Sequence, residues 1–373
     1  MNQIIKIVPA VKDYAWGNDS FIAGLLSLEK NGPKAEMWIG ANRQGSAVVA
    51  QSDERLCDVL DADPSFCGCK ADDFPFLLKV LAIAQSLSIQ CHPDPDQAKK
   101  GFEAEAEKRK KVDRSLWNYQ DSNQKAEMLY ALTPVTAMCG FRPFEQMKGM
   151  LKTAVPNLFN EQLSEIGSIS ELFDTIYRLD PDTLSYAEAE LLKNKDSLPS
   201  DVKVLVTELG DRYFGDPGVF SPLLLNIIHL EIGEAVYLKP RVLHAYIYGN
   251  GVELMNNSDN VLRAGLTPKH VDLDELEKVM NAETYIPKPM VPASDKGGKH
   301  FVCEGGFTLT VMENGHFENS FKGPKVLLCT DGEARINKDF VLKRGECCIA
   351  GSSVDCLDVD AFAARVFMAT SNN

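Results

Sequence analysis

The sequence contains no long apolar run. Its best stretch, Phe76–Ala84, is short and holds Lys79, whereas a membrane span needs roughly 18 or more consecutive apolar residues. No membrane span is therefore expected. Residues Met1 to Ala10 do not read as a secretory leader: the apolar stretch is brief, Lys6 interrupts it, and no small-residue cleavage site follows. Cysteine is sparse, 10 of 373 residues, well short of the roughly 8–10% of a disulfide scaffold. Paired zinc-knuckle spacing is missing too, since Cys67-Gly68-Cys69 and Cys347-Cys348 have no second CxxC to complete a site. Such usage fits a reducing cytosol with buried or incidental thiols, and a cytoplasmic protein is expected. Positive charge is in deficit: 39 Lys and Arg against 53 Asp and Glu give −14 at pH 7. Nucleic acid and anionic membrane are accordingly not expected as partners.

What remains is ordinary globular material, 45% hydrophobic and 25% charged. At about 150 residues per domain, the length suggests two to three units. Residues 1–93 read as short strands and turns, with strands at Ala35–Gly40, Phe76–Ala84 and Leu87–His92. Asp94-Pro95 opens a helix with Ala98, Phe102 and Ala106 at fourfold spacing. From Pro143 to about Ser221 the pattern is helical. Met147, Met150, Leu151 and Ala154 share a face, Ser168 and Glu171 form a capping-box pair, and Pro181 and Pro199 open further segments ending at Gly210. Strand texture resumes at Leu223, a short capped helix runs from Asp272 to about Met280, and Ile286–Pro292 is a connection. Short strands with tight turns fill the remainder. The expected class is mainly β with an α-helical insertion. Its domains are a β unit built from 1–143 and 223–285, a helical unit over 144–222, and a second β unit over 286–373.

Six histidines are present. His92 follows Gln90 by two, so on a strand both side chains leave one face. His244 sits in a G-x6-P-x3-H pattern that places it at the mouth of a small barrel. Taken alone, each also reads as a hydrogen-bonded core histidine, and the absence of H-x3-H or HExxH spacing gives a metal little local support. Gly251 to Lys269 is so polar that it reads as a loop beside a barrel, where function usually sits.

Six ordered blocks then stand out: Tyr14-Ala-Trp16-Gly17, Ala35-Glu36-Met-Trp38-Ile-Gly40, Leu87-Ser88-Ile-Gln90-Cys-His92-Pro93-Asp94, Lys125-Ala-Glu127-Met128, His244-Ala-Tyr246, and Asp259 through Arg263 to Lys269. Together they resemble the type I mannose-6-phosphate isomerases, zinc-dependent cupin enzymes. The family's helical insertion and C-terminal jelly roll account for the rest of the chain.

That resemblance implies one Zn2+ per chain on Gln90, His92, Glu127 and His244. Two imidazoles, one carboxylate and one amide oxygen make an N/O donor set that leaves room for water or substrate. It implies interconversion of mannose 6-phosphate and fructose 6-phosphate through an enediol or enediolate. Arg263, always protonated and fork-shaped, suits the developing oxyanion. Lys125 and Glu253 are the candidates for acid–base work, with no choice between them. Lys269, Lys79 and Ser88 are expected to meet the phosphate-bearing substrate, with Glu36, Trp16, Tyr246 and Asp259 as further lining. Many family members carry His-Lys-Pro-Glu where this chain has Gln124-Lys-Ala-Glu127. Ring opening by that histidine cannot operate here unchanged, because glutamine takes up no proton at neutral pH. Gly345 to Ala350 is followed by no histidine, so the second β unit is expected to hold no metal. The expected partner is a small sugar phosphate, and the expected state a monomer. An iron oxygenase of the same fold or a non-catalytic sugar-phosphate sensor are the alternatives.

Overall fold

The structure, a computed structural model, describes residues 4–372. Its strands form ladders of ten, eight and four strands, antiparallel throughout. The ten-stranded sheet carries the blocks singled out above. Its central strand is His244–Asn256, which changes partners along its length. His244 to Tyr248 pair with Val135–Phe141, and Gly249 to Asn256 pair with Phe76–Ile83 and Glu127–Ala131. Gly249 makes that switch possible: its φ is +110°, and a Cβ there would lie 2.5 Å from the Pro134 carbonyl oxygen. Short strands Ile89–Cys91 and Leu262–Gly265 complete the wall, with Gln90 paired to both His244 and Arg263.

Alternation along these strands decides what faces the cavity. Phe76, Leu78, Val80 and Ala82 pack into a core shared with Phe301, Leu309, Val326 and Phe367 of the C-terminal sheet. Their odd-numbered neighbours, including Lys79, turn the other way. Because both faces of the strand are covered, its sequence reads as a continuous apolar run rather than an alternating one. Ile89, Cys91, Leu262 and Ala264 likewise enter a second core with the helical segments, leaving Gln90 and Arg263 on the open side.

The helical region contains Phe144–Ala154, Ile169–Tyr177, Pro181–Asn194 and Ser200–Tyr213. The last of these runs three residues past the expected end at Gly210, since Leu209 and Gly210 remain packed and nothing forces a turn until Phe214. The expected capping box at Ser168 is half formed. Ser168 Oγ accepts from the Glu171 N–H, while the Glu171 carboxylate takes the Gly167 N–H instead of closing back on Ser168. Asp94 and Gln97 do form a complete box ahead of Pro95–Ala104. Asp272 caps Leu273–Val279 through the Glu275 N–H.

Two sequence expectations need correction. Residues 1–93 are not all strand and turn, because Phe21–Leu25 and Leu56–Ala62 are helices. Each has two turns or fewer and neither has a side-chain N-cap, so neither leaves a readable period. The stretch from Gly251 to Lys269 is not one loop: Gly251–Asn256 and Leu262–Gly265 are strands. Their polar residues face a cavity, not solvent, and that disguises them.

The C-terminal strands form the eight-stranded and four-stranded sheets, with Met312, Leu327, Ile336, Leu342, Val359 and Val366 between them. Ile4–Val8 joins the eight-stranded sheet by pairing with Cys347–Ala350. All ten cysteines are free. No helix among the described residues is long and apolar enough to cross a membrane.

Candidate active site and metal centre

The wall formed by these strands encloses a cavity of about 520 Å3. Trp16, Glu36, Lys79, Ser88, Gln90, Lys125, Glu127, His244, Tyr246, Glu253, Asp259, Arg263 and Lys269 all line it. His92, the remaining expected site residue, joins His244 and Glu127 in one buried cluster whose ligand atoms lie within 4.8 Å of one another. Arg263 is not in a loop with Lys269 as expected. It stands on a strand opposite Gln90, and Lys269 lies six residues on at the exposed rim.

The histidines are fixed by the main chain. His92 Nδ1 lies 2.7 Å from the Asn260 carbonyl oxygen, and His244 Nδ1 lies 2.9 Å from that of Val242. A carbonyl can only accept, so each Nδ1 carries the proton and each Nε2 keeps its lone pair. Those lone pairs face one carboxylate: His92 Nε2 is 3.4 Å from Glu127 Oε1, and His244 Nε2 is 3.3 Å from Glu127 Oε2. His92 Nε2 is buried with no hydrogen-bond partner. Three acceptors turned toward one another repel unless a cation lies among them, and backbone-oriented imidazoles are the usual preparation of metal-ligating histidine. The donor set therefore fits a zinc-type ion.

Charge around the cluster acts in the same sense. Lys125 Nζ is 2.8 Å from Glu127 Oε1. Burial alone would raise the Glu127 pKa, but Lys125 and the two imidazoles outweigh it and hold the carboxyl well below its ordinary range. Burial, helped by Lys125, pushes His92 down to about 4, so its imidazole is neutral and able to ligate. Across the cavity floor, Lys79 Nζ lies 3.2 Å from Glu253 and 3.8 Å from Glu36. Desolvation opposes the Lys79 charge, yet the two carboxylates raise its pKa. For Glu253 the balance reverses, because burial outweighs Lys79 and its pKa is raised.

Several contributors escaped the sequence reading. Asn260 is fully buried, holds His92 through its carbonyl, and uses its side chain to bind the main chain of residues 120, 121 and 123. Its only signal was its place in the polar block. Trp38 donates through Nε1 to Glu36, and its ring lies 4.7 Å from Lys79 Nζ. Tyr213 reaches the cavity from the helical region, which nothing in the sequence connected to the site. Gln124 is half-buried and is not among the lining residues.

The family model described as "Phosphomannose isomerase type I, catalytic domain" matches residues 4–144. Mannose-6-phosphate isomerase of Escherichia coli is 33% identical over 365 residues, covering 91% of this chain and 93% of its own. This chain belongs to the type I phosphomannose isomerase family. It is accordingly an enzyme, an aldose–ketose isomerase. The probable mannose-6-phosphate isomerase of Caenorhabditis elegans is 32% identical over 393 residues, covering 94% of this chain and 91% of its own. Among solved structures, the apo form from Salmonella typhimurium superposes with a TM-score of 0.89 at 30% identity over the whole of both chains. A mannose 6-phosphate isomerase bound with zinc and yttrium does so equally, with a TM-score of 0.89 and 30% identity. The antiparallel sheets described above agree with the cupin-type fold of the phosphomannose isomerases.

Proposed function

We propose that this phosphomannose isomerase interconverts mannose 6-phosphate and fructose 6-phosphate by proton transfer through an enediol or enediolate, with one zinc ion held by Gln90, His92, Glu127 and His244. One observation carries this reading: two main-chain-oriented imidazoles present their Nε2 lone pairs to a single buried carboxylate, in a cavity that Lys79, Lys125, Arg263 and Lys269 also line. When bound, the ion would supply Lewis-acid stabilisation of a substrate oxygen.

The chain's own residues do the rest. Isomerisation requires a proton to leave C2 and arrive at C1, next to a carbonyl whose oxygen becomes anionic. Arg263 presents its guanidinium from the strand opposite Gln90, where forked donors can hold two oxygens of the developing enediolate. Burial lowers its pKa, but a guanidinium remains protonated at any physiological pH. Lys125 and Glu253 are the acid–base candidates. Burial raises the Glu253 pKa, the direction that favours a carboxyl exchanging protons, and Lys125 is a buried amine within the cavity. Ser88, Lys79 and Lys269 serve the phosphate-bearing substrate, and Glu36, Trp16, Tyr246 and Asp259 shape the cavity. With Gln124 away from the lining, ring opening falls to the cavity's own groups.

The reading also takes the chain as a metal-binding cupin unit interrupted by the helical insertion, followed by a metal-free jelly roll, acting as a cytoplasmic monomer. Metal analysis alongside a coupled isomerase assay tests the core of it. Chelation should abolish turnover and zinc should restore it, whereas full turnover by metal-free protein would overturn it.

A further inference from the structure

Beyond the rim of the substrate cavity lies a second one, of about 710 Å3, that shares Asp259, Val261, Arg263, Pro268 and Lys269 with the first. Its far side is built around Arg114. That guanidinium is held entirely by neutral groups. Nε donates to Gln120 Oε1 at 2.8 Å, and with the Gln44 amide oxygen turned toward it both Nη atoms donate at 2.7 Å. The Trp117 ring lies beneath, 5.8 Å from Cζ to centroid. Of the five N–H bonds of the guanidinium these use three, leaving two free. Among the described residues, no carboxylate oxygen lies within 4 Å of a nitrogen of Arg114, Arg263 or Lys269. His270 also lines the cavity, and its Nε2 is buried without a hydrogen-bond partner.

In a chain with 53 acidic residues against 39 basic ones, Arg43 and Arg178 are each tied to carboxylates, with two and three partners. Here the single lining acid, Asp259, lies on the wall shared with the substrate cavity, and its Oδ1 accepts from Asn42 at 3.4 Å. Arg114 is fixed in place by groups that orient it without neutralising it. A preoriented, uncompensated guanidinium with free N–H bonds matches the geometry and charge of an oxyanion.

We infer that this outer cavity is a second anion site, separate from the substrate's, which takes a phosphate-class oxyanion on Arg114 and His270. It rests on the isomerase reading only for what fills the inner cavity. The ligand is free phosphate or a phosphomonoester, since both present the same oxygens.

The test uses the zinc-loaded full chain free of sugar phosphate, because a saturating phosphomonoester would fill both cavities. Inorganic phosphate is titrated in at constant ionic strength while tryptophan emission is followed, because Trp117 lines the outer cavity. The expected result is a saturable change whose midpoint rises by about tenfold or more in Arg114→Gln, as loss of a charge-assisted pair predicts. Chloride at matched ionic strength should give no such change. A parallel titration with glycerol 3-phosphate assigns the ligand: the free ion if phosphate saturates at lower concentration, a monoester if glycerol 3-phosphate does. A response that never saturates, that chloride reproduces, or that is identical in Arg114→Gln overturns the inference. Turnover of mannose 6-phosphate, measured on a separate aliquot of each preparation, keeps the two readings apart. Isomerisation without the phosphate response defeats the second site alone, and the response without isomerisation defeats the proposed activity alone.

Discussion

Lys125 Nζ stands 2.8 Å from Oε1 of Glu127, and both side chains are buried. The carboxylate that faces two imidazole lone pairs therefore also neutralises an ammonium. If Lys125 handles a proton, Lys125→Met should keep its zinc while kcat falls by about 100-fold or more. Metal content and steady-state turnover measured on the same preparation decide this. Parallel loss of zinc and activity would reduce Lys125 to a support for Glu127.

Glu127→Gln keeps the shape but removes the one anionic donor and strands a buried lysine. Breaking a buried pair from one side costs about 3–5 kcal/mol, so the variant should melt well below the parent. It should also purify with substoichiometric zinc. A parent-like melting temperature and full zinc occupancy would contradict the charge assignment.

Arg263 tests transition-state geometry. Arg263→Lys preserves charge but not the fork, and kcat should drop more than KM rises. An unchanged kcat removes Arg263 from the oxyanion role.

Asp216, at the end of the helical region, braces the same strand from behind. Its carboxylate accepts from the Gly218 N–H at 2.8 Å and the Thr267 N–H at 3.3 Å. Gly265, with φ +153°, leaves no room for a Cβ, which would lie 2.5 Å from Asp216 Oδ1. Asp216→Ala should let Arg263 and Lys269 drift and lower kcat/KM by about tenfold or more. Asp216→Asn, which keeps an acceptor, should recover most of the loss. Equal activity of all three proteins would sever the helical region from catalysis.

Glu188 offers a pH signature away from the site. Its side chain is fully buried, Oε2 accepts the Gly215 N–H at 2.6 Å, and Oε1 has no partner. Burial raises its pKa to about 7 from 4.5, opposed by the Gly215 N–H. The folded state therefore holds a proton that the unfolded chain has already released, and stability falls as pH rises from about 4.5 to 7. The contribution is at most about 3 kcal/mol. Glu188→Gln should melt higher than the parent at pH 8 and lose that advantage toward pH 5. Parallel melting curves across this range would show that Glu188 does not carry the effect.

The site was readable largely because its residues sit in short blocks that resemble the family's: strand alternation pairs Gln90 with His92, while Lys125 and Glu127 came only with the resemblance. What could not be read is how distant strands meet. Gln90 between His244 and Arg263, and Lys79 against Glu253, are cross-strand neighbours separated by well over 100 residues. Periodicity also misled where a face is polar because it lines a cavity: Glu253 and Arg263 are strand residues inside what looked like a loop. The two short helices before residue 93 lacked the length to show a period. Asn260 gave no signal because its role is exerted through a main-chain oxygen that any residue carries.

The central claim is that a metal held on His92, Glu127 and His244 is required for isomerisation of mannose 6-phosphate. The most direct measurement is turnover of mannose 6-phosphate to fructose 6-phosphate against zinc content in metal-stripped protein titrated with Zn2+. The account predicts no turnover in the stripped protein and a linear rise that breaks at one zinc per chain. Activity that does not depend on zinc, or one-to-one zinc binding without turnover, would contradict it.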